Sequence, residues 1–275
     1  IYNPYWDSLG GGEKYAAAVV RLLLKQGWQV DIWWNGDMSQ KVKERFDIDI
    51  QGANFSPQSS FSNYNLVFWV SDGSIPTSDA KKTLIHFQVP FHDSKSKSLA
   101  NRLKLKFYTV VCNSNFTKNV IDKTYGVNSQ VIYPPVEIDK LKPGPKVNQI
   151  VSLARFSQTL HSKRQDILIE AFSKLELQGW KLILAGGISD PEYLHQLKLK
   201  SEGLAVEYVT DPDNKKIQEL LSTSKIFWSA TGYGVDQLQD PEKVEHFGIT
   251  PVEAMASGCV PIVTASGGHL ETVIS

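Results

Sequence analysis

Two glutamates, Glu245 and Glu253, bracket the segment His246-Phe247-Gly248-Ile249-Thr250-Pro251-Val252. The first lies in a loop-like stretch. The second falls in the first turn of a helix that leads into an apolar strand. The start of a helix exposes backbone amides that lack an intrahelical partner, which suits an anion or a polar ligand. A carboxylate held at the same place accepts paired hydroxyls, such as those of a ribose or a hexose. A purely structural role is also available. Thr250-Pro251-Val252-Glu253 fits a capping box with proline at the first helical position, in which Glu253 only satisfies backbone donors. Residue chemistry alone leaves both readings of Glu253 open, and a loop glutamate such as Glu245 is ordinarily solvated.

Two cations have a comparable placement. Arg155 falls at the end of an apolar run and Lys163 just before the next helix. Both therefore sit at a sheet edge, where they can stabilise charge developing on a diphosphate; the plain alternative is a pair of solvated loop residues. Gly10-Gly11-Gly12 permits close approach of the backbone to a ligand and opens a helix. Glu13 in the first turn repels a phosphate while suiting the helix dipole, so a tight turn competes with a ligand loop. His86 lies toward the end of a strand over 83–89, on the expected ligand side. A packed core histidine is the competing reading there, and His92 is the nearby rival. Asp47-Ile48-Asp49 imitates a metal-binding Asp-x-Asp, but it lies in the alternating run Phe46, Ile48, Ile50 and reads as the solvated face of a strand. Asp211-Pro212-Asp213 reads as a turn. No Cys/His cluster has zinc spacing, and no metal is expected.

The elements that must position these residues alternate between strand-length apolar runs and helix-length amphipathic stretches. That pattern predicts βαβ units on parallel sheets. Strands are expected at 30–34, 66–71, 84–89, 110–113 and 130–133, with helices at 13–26, 98–107 and 117–125. A polar, proline-broken stretch follows, from Pro134-Pro135 through Lys142-Pro143-Gly144-Pro145. It cannot continue a helix or a central strand and reads as an interdomain linker. The alternation then restarts, with strands at 150–154, 181–185, 205–209, 225–229 and 260–264. Helices are expected at 164–177, 191–202, 214–223 and 251–257, and another begins near His269. The fold class is therefore α/β, with two Rossmann-like domains over 1–142 and 143–275. Ligands of such sheets bind beyond the carboxyl ends of the strands.

Composition narrows the function classes. The 275 residues suit two α/β domains, and 29 basic against 29 acidic residues give no global signature of a nucleic-acid or membrane binder. No apolar run approaches the roughly 20 residues that span a bilayer. Cys112 and Cys259 each sit in an apolar run and read as buried, reduced thiols of a cytoplasmic protein. Ile1-Tyr2-Asn3-Pro4 reads as the tail of a first strand already under way, and the C-terminal end is expected to be incomplete. The basic concentration of Lys95, Lys97, Arg102, Lys104 and Lys106 is either a solvated helix face or a steering patch for an anionic acceptor or lipid headgroups. The polar segment 231–243 is either a lid or a mobile loop.

The stretch from Glu245 to Glu253 resembles the Glu-x7-Glu motif of retaining GT-B glycosyltransferases of family 4, the group 1 transferases. Other pieces resemble the same family in the same order along essentially the whole chain. These are Gly10-Gly11-Gly12-Glu13, Ser152-Leu153-Ala154-Arg155 with Lys163 to Phe172, and Trp180-Lys181-Leu182-Ile183-Leu184-Ala185-Gly186-Gly187. The family usually has glycine after the lysine, where this chain has Arg164, and the spacing from Arg155 to Lys163 is slightly long.

The resemblance implies a metal-independent transferase that moves a sugar from a nucleotide-diphosphate-sugar to a glycan or lipid-linked acceptor, as in polysaccharide biosynthesis. Glu253 would take the ribose, and Arg155 and Lys163 the diphosphate. Glu245 and the amides of Phe247, Gly248 and Ile249 would hold the sugar. Gly11 and Gly12 would face the donor or acceptor from the first domain, His86 would contact the transferred sugar there, and His86 and Glu245 are the implied catalytic residues. The expected protein needs no cofactor and no nucleic acid, is cytoplasmic, and makes at most weak peripheral contact with the inner membrane face. The rival readings are a GT-B-fold epimerase or phosphorylase and a non-catalytic nucleotide-sugar binder. A nicotinamide dehydrogenase is disfavoured because neither half opens with GxGxxG.

Overall fold

A computed structural model describes residues 1–57, 60–92, 98–158 and 163–274. The chain divides into two compact units, Ile1–Pro135 and Val136–Ser275. The division thus falls ahead of the expected boundary at residue 142. Pro134 and Pro135 close the first unit, and Lys142-Pro143-Gly144-Pro145 goes with the second, where the Gly144 amide donates to the Ser222 carbonyl (3.0 Å).

The first unit carries two parallel ribbons of strand. β1 (Asp31–Trp33) pairs with β2 (Asn54–Ser56), and β3 (Leu66–Ser71), β4 (Lys82–Phe87), β5 (Thr109–Cys112) and β6 (Gln130–Val131) pair in that order. Tyr2 bridges Trp33 on one side and Trp69 on the other and so connects the two ribbons. Alternation along the strands sorts the core into two layers. Phe68 and Val70 pack with Tyr15, Ala16, Ala17 and Val20 of α1 (Gly11–Lys25). Val67, Trp69, Ile85 and Phe87 pack on the other side with Leu105 of α3 (Leu99–Phe107) and with Ile121 and Tyr125 of α4 (Asn115–Tyr125).

One element overturns the sequence expectation. Ser39–Phe46 is a helix, α2, that ends at Asp47 in the left-handed region (φ 56°). Asp47 and Asp49 therefore lie on the turn after a helix and not on a strand face. Ile48 and Ile50 are buried as expected of the run, but from an irregular segment.

The second unit is a five-stranded parallel sheet in the order β11-β10-β7-β8-β9. Its elements run β7 (Val147–Leu153), α5 (Gln165–Leu175), β8 (Lys181–Gly186), α6 (Pro191–Lys200), β9 (Val206–Thr210), α7 (Asn214–Thr223), β10 (Ser224–Ser229), α8 (Ile249–Ala256), β11 (Val260–Val263) and α9 (His269–Thr272). Ile150, Leu182, Leu184 and Trp228 face α5 and α6, and Val151, Ile183, Ala185 and Phe227 face α7 and α8. Burial on both faces is what near-continuous apolar strands require. Asp211-Pro212-Asp213 is the turn expected of it, and Asp213 caps α7 through the Lys216 amide (2.7 Å). Both cysteines are buried and unbridged.

Chain order reverses between β7 and β10. Strands β8 and β9 follow on one side, β10 and β11 on the other, so loops leaving β7 and β10 diverge and open a crevice at their carboxyl ends. The loop after β7 is held tightly there. Phe156 N donates to the Gly187 carbonyl (2.9 Å), and the Ser189 and Asp190 amides donate to the Phe156 carbonyl. A Cβ on Gly186 would stand 2.0 Å from the Ala154 carbonyl oxygen, a backbone atom that cannot swing away. Gly186→Ala is therefore expected to cost about 2–3 kcal/mol in urea unfolding. By contrast, Gly203→Ala meets nothing within 4 Å and carries only the strain of its positive φ.

Candidate functional site

The crevice between β7 and β10 collects most of the chemistry-bearing residues of the second unit. Lys163 follows β7, and Glu245 follows β10. The two side chains meet, Lys163 Nζ donating to Glu245 Oε2 at 2.8 Å, with about a fifth of each exposed (22% and 20%). Burial alone would push the Glu245 carboxyl up. The Lys163 ammonium and, less strongly, His269 outweigh it and hold the pKa at about 2, from an ordinary 4.5. The His246 amide also donates to Glu245 Oε1 (3.3 Å). Glu245 is thus an ionised carboxylate across the physiological range.

The backbone bearing Glu245 is fixed by a loop that the sequence reading did not single out. Gly267 and Gly268, in the loop that follows β11, lie against residues 245–247. The Gly268 amide donates to the Glu245 carbonyl (2.7 Å). A Cβ on Gly267 would stand 2.2 Å from that same oxygen, and one on Gly268 2.4 Å from the His246 carbonyl. Only glycine permits such an approach. Two adjacent glycines just past a strand were the available signal. His269 follows as the first residue of α9, buried to 1% exposure, with Nδ1 donating to the Thr264 carbonyl (3.1 Å). Burial lowers its pKa while Glu245 opposes that shift.

Helix α8 starts from this platform. Its N-cap is Gly248 (φ 93°), and no side chain caps it. Ile249 is therefore the first helical residue, Pro251 the third and Glu253 the fifth. The capping-box reading of Thr250-Pro251-Val252-Glu253 fails, because that motif needs its glutamate at the third position. Glu253 is half-buried one turn inside the helix. The amides of Gly248, Ile249 and Thr250 belong to a helix start that side chains leave unserved.

Arg155 lies just past β7 with its side chain exposed. Its carbonyl accepts from Gln165 Nε2 (3.0 Å), which ties the loop to the start of α5. Arg164 is engaged by neighbouring groups of the same unit. Its guanidinium grips Asp166 through Nε and Nη2 (3.1 Å each), and Nη1 donates to the Tyr233 carbonyl (3.1 Å). It does so from a left-handed backbone, φ 50°, the region that favours the glycine usual in the resembling family. The segment expected as a lid or mobile loop is tethered at three points. They are Arg164 to the Tyr233 carbonyl, the Gly267 amide to Gln237 Oε1 (2.7 Å), and His246 Nε2 to the Glu242 carbonyl (3.2 Å). Among the described residues, no three His, Cys, Asp or Glu side chains gather as a metal site.

Two expectations for the first unit are corrected. His86 is fully buried. Its ring stacks on Tyr15 (4.0 Å between centroids) and lies near Phe68, and Nδ1 meets Gln88 Nε2 at 3.2 Å. Burial lowers its pKa to about 3, so it stays neutral. It is a core histidine under α1, not a group presented at the strand end. The second correction concerns the glycine turn. Glu13, not a ligand, serves the start of α1: Oε2 accepts from the Gly10 amide (2.9 Å) and Ser8 Oγ (2.6 Å), and Oε1 from Asn3 Nδ2 (3.1 Å). A Cβ on Gly12 would stand 2.4 Å from Gln88 Oε1, the far end of a flexible side chain that would have to shift to admit it. Gly11 shares that turn.

The model of the family described as glycosyl transferases group 1 matches residues 135–275. The alpha-1,3/1,6-mannosyltransferase ALG2 of Candida glabrata is 28% identical over 205 residues, 60% of this chain and 44% of that protein. A Kluyveromyces lactis protein named GDP-Man:Man(3)GlcNAc(2)-PP-Dol alpha-1,2-mannosyltransferase is 30% identical over 187 residues, 59% of this chain and 30% of that one. The chain thus spans less than half the length of either relative. The crystal structure of AviGT4, a glycosyltransferase involved in avilamycin A biosynthesis, covers 95% of this chain and 72% of its own at a TM-score of 0.58 and 17% identity. That likeness shows the fold, two Rossmann-like units of the GT-B type.

Two outcomes follow from this geometry. Glu245 has a depressed folded-state pKa, so its stabilisation is present above about 4.5 and is lost as pH falls toward about 2. The difference in urea-unfolding free energy between wild type and Glu245→Gln should therefore shrink over that window. In a Lys163→Met background the shrinkage should largely vanish. Separately, Arg164→Ala is expected to be less stable than Arg164→Gly by about 1 kcal/mol, because both lose the Asp166 pair but only glycine relieves the left-handed backbone.

Proposed function

The chain belongs to the group 1 glycosyl transferases, and from that premise we propose that its second unit binds a nucleotide-diphosphate-sugar for transfer of the sugar to an acceptor hydroxyl. The observation that carries this reading is the meeting of Lys163 and Glu245 in the crevice between β7 and β10, beside the start of α8. A cation for a diphosphate, a permanently ionised carboxylate for sugar hydroxyls and a helix start without a side-chain cap are there brought into one place.

In this reading Lys163 exchanges Glu245 for the diphosphate when donor arrives, and Arg155, already exposed, joins it. Glu245, released from its cation, and the amides of Phe247, Gly248 and Ile249 take the sugar. Glu253 takes the ribose hydroxyls. As the glycosidic bond breaks, the bonding pair leaves with the terminal phosphate oxygen, and the two cations balance that charge. The acceptor hydroxyl attacks from the same face and gives its proton to the departing phosphate, so the anomeric configuration is retained. Positive charge comes from Lys163 and Arg155, so the reaction proceeds without a divalent cation. GDP-mannose is the first donor to test, because the relatives are named for mannosyl transfer and one for GDP-mannose itself. A lipid-linked glycan is the corresponding acceptor.

Thermal-shift and calorimetric titrations with GDP-, UDP-, ADP- and dTDP-sugars, in buffer containing a chelator, test this directly. One nucleotide is expected to stabilise the wild type. Lys163→Ala and Glu253→Ala should each weaken its binding by roughly 10- to 100-fold, the range for losing a charge-assisted hydrogen bond. Nucleotide release with an acceptor present establishes transfer, and NMR of the product gives the anomeric configuration. Binding that survives both substitutions would place the donor elsewhere.

A further inference from the structure

Chain order in the first unit reverses at Tyr2, which bridges Trp33 of β1 on one side and Trp69 of β3 on the other. At such a point the loops leaving the carboxyl ends diverge and leave room for a ligand. Helix α1 follows the Tyr2 segment, and Gln88, the first residue after β4, reaches its start. Gln88 Nε2 donates to the Gly12 carbonyl (3.3 Å) and lies 3.2 Å from His86 Nδ1. A carbonyl only accepts, so the nitrogen of the carboxamide must face Gly12. An amide nitrogen only donates, so Nδ1 must accept, and the neutral ring carries its proton on Nε2. That Nε2 is buried without a partner among the described residues, so the ring's one hydrogen bond there goes to Gln88. The backbone is held as well, the Gln88 carbonyl accepting from Asn113 Nδ2 (3.1 Å). Both amide hydrogens are thus engaged. Oε1 is left over, with no partner among the described residues, on a side chain that is only partly buried.

We propose that Gln88 Oε1 accepts a hydrogen bond from a hydroxyl of the sugar acceptor, with Gly12 and His86 as the positioning residues that hold the carboxamide in this orientation. The assignment of that hydroxyl to an acceptor rests on the reading of the chain as a sugar transferase. Chemistry decides the partner. Oε1 only accepts, and the Glu13 carboxylate at the same turn is a second acceptor, so together they favour the O–H of a polyol over the oxygens of a phosphate. Turning the carboxamide over would set the carbonyl oxygens of Gln88 and Gly12 against each other, which fixes Oε1 before any ligand arrives. A ligand without the matching hydroxyl would strand that oxygen, so the contact is selective as well as attractive. His86 thereby has a use that its burial alone does not give it. It orients Gln88 from beneath and touches no substrate itself.

NMR titration of the full chain with methyl α-D-mannopyranoside, a single-residue probe of the glycan class, tests it, with and without GDP. The response to GDP-mannose is followed in parallel by thermal shift. The wild type is expected to bind the glycoside. Gln88→Met keeps the side-chain length but lacks the oxygen, and it should weaken that binding by roughly 2- to 10-fold, the range for one neutral hydrogen bond. Its response to GDP-mannose should match wild type. Because methionine also removes the bonds to Gly12 and His86, Gly12→Ala supplies a second readout. Its Cβ would stand 2.4 Å from Oε1 and displace that oxygen, while alanine favours helix α1. Gly12→Ala should therefore melt no lower than wild type and yet bind the glycoside as weakly as Gln88→Met, which a purely structural Gln88 would not produce. Glycoside affinity equal to wild type in either variant, or no binding to the wild type with or without GDP, overturns the proposal. If no nucleotide sugar stabilises the chain while the glycoside still binds through Gln88, the donor assignment fails and the hydroxyl contact stands.

Discussion

A carboxylate shielded from most solvent needs a cation, and Glu245 takes one from 82 residues earlier in the chain. No local interaction can make that pair. It forms because β7 and β10 are parallel neighbours, so the loops leaving their carboxyl ends start side by side. The pair itself adds little net stability, since removing two charges from water offsets most of their attraction. The stability comes from beneath, where Ile150, Val151, Leu182, Leu184, Phe227 and Trp228 are buried on the two faces of the sheet. The core fixes the strand order, and the strand order brings the charges together.

Fine placement depends on missing side chains. Gly186, Gly267 and Gly268 each sit where a Cβ would strike backbone. These contacts hold the loop of Arg155 against the end of β8 and the Glu245 segment against the loop after β11. Arg164 is the opposite case. It spends backbone strain at φ 50° and recovers it through Asp166 and the Tyr233 carbonyl. A glycine there would relieve the strain but leave the 231–243 segment one tether short.

Much of this was legible in the sequence, for physical reasons that also explain the failures. Strands buried on both faces are apolar runs of fixed length, so β3, β7, β8 and β10 stand out from periodicity. Helix α2 did not, because Val42 is its only buried residue and because Phe46, Ile48 and Ile50 alternate as a strand would. The two-residue advance of α8 was invisible as well. Its start is set by the φ of Gly248, against which His269, Pro251 and Glu245 are packed, and a sequence window around Thr250 contains none of that tertiary context. His86 was correctly placed near a strand end, yet the direction of its ring depends on Tyr15, a partner from a distant helix. The pairing of Lys163 with Glu245 is likewise a property of sheet order, and spacing along the chain carries no trace of it.

Helices α1 and α8 both have a glycine N-cap, and the contrast between them argues for where a negatively charged ligand belongs. At α1 the carboxylate of Glu13 reaches back to the Gly10 amide and is itself held by Ser8 and Asn3. That helix start already has its anion, and a phosphate would have to displace a buried, fully bonded carboxylate. At α8 no side chain caps Gly248. The nearest acids are Glu253, a turn too deep to cap, and Glu245, whose charge Lys163 already balances. The partial positive charge of a helix start is therefore neutralised from within at α1 and left available at α8. This asymmetry follows from one residue, an acid at the third helical position in one case and a proline in the other, and it favours the second unit as the seat of the nucleotide.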